Sequence, residues 1–350
     1  MELSEWISPF RLRRRGILGM NRRNVAYITR YNDRSRYPLV DDKLKTKLVA
    51  AKAGVTVPEL LHVIRTQHEI ETIDGVLAGL DQFVIKPSQG SGGKGILVIV
   101  GKDGDAFVKS SGALLNPIDV KRHLSNIISG LYSLGGRTDI AFVESLVVSD
   151  DIFKDVSYEG VPDIRLIVFK GYPIMGMLRL ATKRSDGKAN LHQGAVGVGL
   201  DIGTGRSIAA VQFNRPIEQH PDTGNPVNNI QVPNWRRMLI LAARCYDVTQ
   251  LGYLGADLVL DKRRGPLLLE LNARPGLTIQ VANDEGLLPR LRHIEALEEV
   301  HVSVDERVDY VMQRFAKHKA PVTALWEEPS AAGDSPHGRY GGEPQAAGSA

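Results

Sequence analysis

The amino-acid sequence predicts an α+β protein in which antiparallel β-hairpins carry the functional groups. In residues 256–272, apolar residues recur at every second position on both sides of a polar turn at residues 262–265, which is typical of a hairpin. In residues 83–100, a glycine-rich loop is followed directly by an apolar, largely β-branched run, so this loop also joins two strands. Helical spacing in residues 41–53 and 116–131 supplies the α component.

Composition limits the class of protein. The chain has 350 residues, of which 43% are apolar, so it can bury a substantial core. Its single cysteine, Cys245, excludes an intrachain disulfide and lies in an apolar helical run, where a packed core residue is expected. No apolar run reaches the roughly 20 residues that span a bilayer, and the N-terminus lacks the apolar core of a signal peptide. These features predict a cytoplasmic protein without a transmembrane segment.

The net charge of +4 is concentrated at the N-terminus. Residues 1–40 contain nine arginines and three acidic residues, a balance of +6, whereas residues 41–350 carry −2. The run RLRRR at residues 11–15 could bind nucleic acid, an anionic membrane surface or an acidic partner, or it could be a solvated arm that packs on its own domain. The last interpretation is favoured, and nucleic acid is disfavoured because the arm lacks interleaved aromatic residues for stacking.

The hairpin at residues 256–272 carries two acidic residues on one face. With a turn at residues 262–265, Asp257 lies opposite Glu270, and Asn272 follows on the same side. Opposed carboxylates repel unless a cation or protons lie between them, and carboxylate and amide oxygens suit Mg²⁺. The sequence thus indicates a magnesium site, the alternative being the solvated face of an edge hairpin. The same register pairs Asp261 with Pro266, Leu260 with Leu267 and Leu258 with Leu269.

The glycine-rich loop at residues 88–95 is a second candidate site. Its sequence, SQGSGGKG, has the spacing G-x-G-x-x-G, but no helix follows it, and it lacks the first glycine and the Ser/Thr of a Walker loop. A loop of this kind between antiparallel strands can place backbone N–H groups over phosphates. Lys86 on the preceding strand and Lys94 at the tip add positive charge, so phosphate binding is favoured over a plain glycine hairpin.

Three further segments carry polar residues where apolar ones dominate. Residues 140–148 form a nearly continuous apolar strand, interrupted by Glu144, whose end could present backbone groups to a base. Arg165 and Arg179 lie in two apolar strands, where an arginine needs an anionic partner, either a protein carboxylate or a substrate phosphate or carboxylate. His192 follows on a glycine-rich loop, where a structural histidine is the plainer interpretation.

A lysine-flanked glycine hairpin, arginines in sheet interiors and a late Asp/Glu/Asn set together indicate a nucleotide and metal site. With these residues the chain resembles the ATP-grasp superfamily, and within it the α-L-glutamate ligases that add glutamate to ribosomal protein or build related peptides. The resemblance covers about residues 41–295. It is carried by three ordered motifs: DIR at residues 163–165, NLHQG at residues 190–194, and residues 255–277, which include GAD and GPLLLELNARPGL.

The resemblance implies an ATP-grasp fold, in which two α/β lobes with antiparallel sheets grip ATP between them. It implies a ligase domain over residues 41–320, with a small ATP-binding lobe within about residues 80–148. The basic N-terminal arm, residues 1–40, would precede it, and a low-complexity, disordered tail over residues 321–350 would follow. The family normally has a substantial N-terminal α/β domain, for which forty arginine-rich residues are too few.

The resemblance also implies roles for individual residues. Lys86 would hold the α-phosphate, the loop at residues 88–95 would cover the β- and γ-phosphates, and the backbone of residues 143–147 would bind adenine. The implied ATP-binding residues are Lys86, Ser88, Gly90, Ser91, Gly92, Gly93, Lys94, Glu144, Ser145 and Leu146. The implied ligands of two Mg²⁺ ions, which Mn²⁺ could replace, are Asp257, Glu270 and Asn272. The implied catalytic residues are Arg179 and Asn190 at the γ-phosphate and Arg165 and His192 facing the substrate.

The activity that the resemblance implies is that of an ADP-forming carboxylate–amine ligase. A carboxylate attacks the γ-phosphate of ATP, and an amine then attacks the acyl phosphate to give an amide, ADP and phosphate. The expected partners are ATP, a carboxylate and an amino acid or peptide amine, and self-association is open. Gln193 and Arg274 stand where glutamate ligases usually carry arginine and a small residue, near the expected substrate end. The alternative is a non-catalytic ATP-binding regulatory or scaffold protein whose basic arm docks a partner or an anionic surface.

Overall fold

The structure, a computed structural model, describes residues 8–90, 92–133, 135–298 and 303–317. Within these ranges the chain forms two antiparallel sheets with flanking helices, so the predicted α+β class is confirmed. Ser91 and the predicted tail over residues 321–350 lie outside the described residues. The strands are β1 (Leu60–Ile64), β2 (Phe83–Pro87), β3 (Leu97–Asp103), β4 (Ala106–Lys109), β5 (Leu114–Leu115), β6 (Ala141–Glu144), β7 (Asp163–Phe169), β8 (Tyr172–Leu180), β9 (Val196–Leu200), β10 (Ser207–Gln212), β11 (Arg215–Ile217), β12 (Tyr253–Asp261) and β13 (Gly265–Asn272).

Twelve α-helices surround the sheets in the described ranges, and 3-10 and π segments connect some of them. None of these helices is long and apolar enough to cross a bilayer. The α-helices are α1 (Pro9–Arg14), α2 (Met20–Arg22), α3 (Thr29–Tyr31), α4 (Pro38–Asp41), α5 (Lys43–Lys52), α6 (Gln67–Glu71), α7 (Ile73–Ala78), α8 (Pro117–Ile128), α9 (Trp235–Thr249), α10 (Ile279–Ala282), α11 (Leu288–Glu295) and α12 (Val304–Arg314).

The smaller sheet has six strands in the order β1-β6-β2-β3-β4-β5 and packs against α6, α7 and α8. Its core contains Phe83, Ile85 and Leu124, all fully buried. The sheet extends beyond residues 80–148, because β1 pairs with β6 along its outer edge. Helix α8 begins at Pro117 because Asn116 and Asp119 satisfy each other's backbone N–H groups in a capping box.

The larger sheet has seven strands in the order β11-β10-β9-β8-β7-β12-β13. One face packs against α9 through the largest apolar core, in which Cys245 is buried as predicted. Burial raises the pKa of the Cys245 thiol to about 12, which fits a packed residue and not a nucleophile. The other face is apolar at one end, around Phe169 and Tyr253, and charged at the end where Asp163 and Asp257 lie.

The register of the hairpin formed by β12 and β13 differs from the predicted one near the turn. The turn has three residues, 262–264, because Gly265 takes a left-handed conformation (φ +73°) and already pairs with Asp261. A β-bulge then inserts Leu269 into β13 and restores the predicted alternation further along. The predicted pairing of Asp257 with Glu270 is confirmed, and the three pairings closer to the turn are wrong: Asp261 pairs with Gly265, Leu260 with Pro266 and Leu258 with Leu268.

The apolar run at residues 140–148 is a shorter strand than predicted. Strand β6 ends at Glu144, because the next residues leave the small sheet and cross to the large one. The Ser145 amide donates to the Glu59 carbonyl (2.9 Å), and the Val148 amide donates to the Asp261 carboxylate (3.0 Å). Residues 145–150 therefore link the two sheets, with Val147 buried and the others half-buried.

The arginine-rich N-terminal residues contribute to the core of the large sheet. Leu18, Tyr27 and Ile28 are buried against its apolar face, and the Tyr27 ring meets Phe169 edge-on at 5.6 Å between centroids. Asn32 joins this segment to the sheet, since its side chain donates to the Tyr253 carbonyl (2.7 Å) and accepts from the Tyr253 amide (2.8 Å). The segment thus braces the strand that carries Asp257.

Candidate active site

The charged end of the large sheet is organised by cross-strand pairing. Arg165 on β7 pairs with Asp257 on β12, which pairs in turn with Glu270 on β13, so the three residues form one row. Arg179 on β8 pairs with Asp163 on β7, one row further along the same face. The sheet therefore brings together two arginines and three carboxylates that are far apart in the sequence.

Ion pairs connect four of these side chains into one buried network. Arg165 binds Asp257 with two hydrogen bonds, Nε to Oδ1 (2.7 Å) and Nη2 to Oδ2 (2.5 Å). Arg179 donates from Nη2 to the same Oδ2 (2.7 Å) and from Nε to Asp163. Of the two partners predicted for these arginines, a protein carboxylate or a substrate anion, the structure shows the protein carboxylate. Asp163 and Asp257 are only 8% and 6% exposed, so the pairs form away from bulk water.

The two aspartates of the network are shifted in opposite directions. Burial, with a contribution from the charge of Asp257, raises the pKa of Asp163 to about 6 against the opposing effect of Arg179. Burial acts in the same sense on Asp257, but Arg165 and Arg179 outweigh it and lower its pKa to about 2. Burial acts to lower the pKa of Arg179, but the carboxylates of Asp163 and Asp257 outweigh it and raise this pKa above its usual value. Asp257 is therefore the firmly ionised member of the network, and Asp163 is the member that takes up a proton first.

The raised pKa of Asp163 predicts a pH-dependent effect of the substitution Asp163→Asn. Because the folded state binds this proton more tightly than the unfolded state, Asp163 stabilises the protein below about pH 4, and this contribution is lost as pH rises through about 6. The Asp163→Asn variant has no carboxyl group to titrate at this position. Its free energy of unfolding should therefore increase relative to that of the wild type between about pH 4 and 7, by at most about 3 kcal/mol. Urea unfolding across this range measures the effect. The exposed substitution Asp105→Asn is the control, and a pH-independent difference for Asp163→Asn would contradict the prediction.

Glu270 is the carboxylate of the row without a partner. It is half-buried opposite Asp257, and within the described residues it forms no ion pair or side-chain hydrogen bond. Asn272 is half-buried at the end of the same strand, and its Oδ1 accepts from the Arg274 amide (2.8 Å). The turn after Asn272 packs closely on Gly255. A Cβ at Gly255 would lie 2.8 Å from Cβ of Pro275, so a larger residue at position 255 would clash with the turn. Two opposed carboxylates, one of them unpaired, are a donor set that fits a hard cation.

The predicted metal ligands thus lie together, but Asp257 is already held by two arginines. A cation at this site would share the Asp257 carboxylate with them or displace one of them. In the described ranges no group of three or more His, Cys, Asp or Glu residues is placed to hold a metal ion. The oxygen donors of Asp257, Glu270 and Asn272 fit Mg²⁺, which also takes phosphate oxygens and water as ligands.

A second buried charge cluster lies in the small lobe, at the predicted α-phosphate position. The Glu144 carboxylate on β6 pairs with Lys86 on β2 and with Lys47 on α5, the latter at 2.8 Å. Burial alone would raise the pKa of Glu144, but the two lysines hold it below its usual value. Lys47 is only 7% exposed, and burial lowers its pKa. Sequence reasoning found Lys86 and Glu144 but placed Lys47 only within a helix.

The glycine-rich loop divides into an anchored start and an exposed tip. Ser88 is fully buried and donates its hydroxyl hydrogen bond to Asp42, so this side chain faces the interior. Gly90 is also buried, and its carbonyl accepts from Lys43 Nζ (2.5 Å). The tip, Gly92 to Lys94, is exposed, and Ser91 lies outside the described residues. The loop closes at Gly95, where a Cβ would lie 2.6 Å from the Tyr132 ring.

The segment predicted to bind adenine is fixed by partners that the sequence did not reveal. Arg264, in the turn between β12 and β13, donates to the Ser145 hydroxyl (2.8 Å) and to the Leu146 carbonyl (3.4 Å). The carbonyl of Pro266 accepts from the Thr56 hydroxyl (2.8 Å). Arg264 thereby fastens the turn of the carboxylate hairpin to the segment that leaves the small sheet, and Thr56 holds the start of β13.

The predicted catalytic residues Asn190 and His192 lie on a loop beside the charged row. Asn190 Oδ1 accepts from the His192 amide (3.0 Å), and the His192 ring is exposed. The loop covers Gly197, the β9 residue that pairs with Arg179, since a Cβ there would lie 2.8 Å from Leu191. His192 lines a cavity of about 210 Å³ together with Leu191, Val211, Phe213, Asn214 and Thr278.

Two antiparallel sheets joined by a short crossing segment, each with its own charge cluster, fit an ATP-grasp protein. A family model described as sugar-transfer associated ATP-grasp matches residues 22–296, so the chain belongs to this family. No protein of curated function matches the sequence with significant similarity.

The chain is also similar, at low sequence identity, to solved structures of ligases. The ligase PsnB in complex with a minimal precursor is 12% identical, with 80% of this chain and 63% of that chain covered and a TM-score of 0.42. D-alanine–D-alanine ligase from Bacillus anthracis in complex with ATP is 13% identical, with 81% and 68% covered and a TM-score of 0.40. The L-amino acid ligase from Bacillus licheniformis is 14% identical, with 71% and 43% covered and a TM-score of 0.37. The chain spans less than two thirds of the length of PsnB.

Proposed function

We propose that the protein is an ATP- and Mg²⁺-dependent ligase that joins a carboxylate to an amine through an acyl phosphate. The observation that carries this proposal is the row Arg165, Asp257 and Glu270, with Arg179 beside it. It combines a cation-binding pair of carboxylates with guanidinium groups that can bind phosphate oxygens. Phosphoryl transfer needs mainly such positive charge and positioning, because little covalent chemistry is asked of the protein.

The arginines act first as partners of protein carboxylates and then as partners of the nucleotide. In the structure Arg179 donates to Asp163 and Asp257, and Arg165 donates to Asp257. We propose that the γ-phosphate takes the place of Asp257 as the acceptor for Arg179, while Asp163 keeps the guanidinium in position. The substrate carboxylate attacks the γ-phosphorus, the bond to the β-phosphate oxygen breaks, and ADP leaves. The amine then attacks the acyl carbon and phosphate leaves, giving the amide.

The ATP site proposed here lies between the two charge clusters. Lys86 and Lys47 would contact the α- and β-phosphates, and the exposed tip of the glycine loop, with Lys94, would cover the terminal phosphates. Asp257, Glu270 and Asn272 would hold Mg²⁺, which neutralises phosphate charge when it is bound. The adenine of ATP would bind backbone groups of residues 143–147 that are not already hydrogen-bonded to Glu59 or Arg264. Because the reaction consumes ATP, we propose that it takes place in the cytoplasm.

The substrate end of the site is proposed to be the cavity beside His192. Its lining combines a histidine, an asparagine and a threonine with the exposed ring of Phe213, so it suits a small polar molecule. Glutamate and related amino acids are candidates through the resemblance to α-L-glutamate ligases. The family is described as sugar-transfer associated, which supports testing carboxylates and amines carried on sugars as well.

The test is ADP release from Mg²⁺-ATP against a panel of amino acids, short peptides, uronic acids and amino sugars. We expect ADP to accumulate over many turnovers only when a suitable carboxylate and an amine nucleophile are both present, and with the substrate amine the product mass should equal the sum of carboxylate and amine less one water. Reactions without the amine, with hydroxylamine added, should yield a hydroxamate and so report the acyl phosphate. Tight ATP binding without turnover across the panel would instead support a regulatory or scaffold protein.

A further inference from the structure

The N-terminal segment, residues 8–30, presents arginines and large apolar side chains to solvent together. It contains seven arginines and no acidic residue. Phe10, Leu12, Met20 and Val25 are between 36% and 75% exposed. In the described part of the chain twelve large apolar side chains are exposed, and these four fall within sixteen residues. A soluble surface does not usually concentrate apolar side chains in this way.

The segment that carries these side chains is anchored on the rest of the chain. The Gly16 carbonyl accepts from the Leu288 amide (3.1 Å), and the backbone of Leu18 is bracketed by the Gln280 side chain, at 2.8 and 3.1 Å. Leu18, Tyr27 and Ile28 are buried in the core. In the same anchored segment Phe10 and Met20 remain exposed.

The arginines of the segment are mostly without counter-charges. Arg15 approaches Asp284 at 3.5 Å and Arg30 approaches Glu295 at 2.9 Å. Arg11, Arg13, Arg14 and Arg22 are exposed and form no ion pair with any described residue. The segment therefore carries an uncompensated positive charge next to exposed apolar side chains.

We propose that residues 8–25 dock the protein on an anionic lipid bilayer. The guanidinium groups would bind lipid phosphates, and Phe10, Leu12, Met20 and Val25 would enter the boundary between headgroups and acyl chains. A nucleic acid would neutralise the arginines but would leave Met20 and Val25 in water, so the bilayer accounts for both features. This inference is independent of the proposed ligase activity.

The test is co-sedimentation of the full chain with sucrose-loaded vesicles. Vesicles of phosphatidylcholine alone are compared with vesicles in which phosphatidylglycerol replaces a third of that lipid. We expect binding only to the anionic vesicles, weakened by high salt. The double variants Phe10→Ser/Met20→Ser and Arg13→Gln/Arg14→Gln should each lower the partition coefficient about tenfold, the first through lost apolar insertion and the second through lost charge.

Matched controls come from exposed residues elsewhere. Ile118→Ser removes an apolar side chain that is 72% exposed, and Arg65→Gln removes an exposed arginine; both should leave vesicle binding unchanged. Equal binding to neutral and anionic vesicles, or equal loss in the control variants, would overturn the proposal. An absence of vesicle binding would also overturn the proposal. This holds equally if RNA binds the wild type and the Phe10→Ser/Met20→Ser variant equally well.

Discussion

Replacing Glu270 by glutamine is expected to lower turnover by about 10³-fold while leaving the fold intact. Glu270 lies opposite Asp257 and, within the described residues, has no ion-pair partner, so its charge serves neither an ion pair nor a hydrogen bond. If the two carboxylates hold a cation, glutamine removes one anionic ligand and weakens neutralisation of the phosphates. The free energy of unfolding should stay within about 0.5 kcal/mol of wild type, or rise, because the substitution relieves repulsion.

The measurements for Glu270→Gln are ADP release and binding of Mn²⁺ in the presence of a non-hydrolysable ATP analogue, followed by electron paramagnetic resonance. Both should be impaired, whereas urea unfolding should not change. Glu71→Gln, which neutralises an exposed carboxylate of the small lobe, is the matched control and should affect none of the three. Turnover at the wild-type rate in Glu270→Gln would remove the cation site from the proposed function.

Replacing Asp257 by asparagine, unlike Glu270→Gln, is expected to destabilise the protein, by about 3–5 kcal/mol. Asp257 is the shared acceptor of Arg165 and Arg179, and it is 6% exposed. Without its charge, the guanidinium groups of Arg165 and Arg179, whose side chains are 15% and 11% exposed, are left with the single carboxylate of Asp163. Activity should also be lost, but here the loss accompanies a shift in the urea midpoint.

A double variant separates lost charge balance from simple disruption of the sheet. Arg165→Met added to Asp257→Asn removes the uncompensated guanidinium, so the pair should cost less than the sum of the two single substitutions. The control is Asp305→Asn, which breaks an exposed ion pair with Arg236 and should cost less than about 1 kcal/mol. If Asp257→Asn were as stable as the wild type, the expected contribution of the buried network to stability would be contradicted.

Local patterns in the sequence were sufficient for the hairpins and for the pairing of the two site carboxylates. Alternating apolar residues and a polar turn predict β12 and β13 because side chains on a strand point to opposite faces in turn. The pairing of Asp257 with Glu270 was predicted with a turn of the wrong length, and it holds because the bulge at Leu269 compensates for the shorter turn. Bulges leave no clear signal in a regular alternation, so this compensation could not be predicted.

The contacts between distant segments were decided only by the tertiary structure. Sequence reasoning required an anionic partner for Arg165 and Arg179, but it could not identify Asp257, which lies 92 and 78 residues further along the chain. It likewise missed Lys47 beside Glu144 and Arg264 beside Ser145. Periodicity indicates which face of a strand or helix is buried. The charged groups that lie against that face depend on which elements the fold places together. The sequence by itself determined the types of chemical group and the hairpins that carry them, and the packing of the two sheets determined which charges meet.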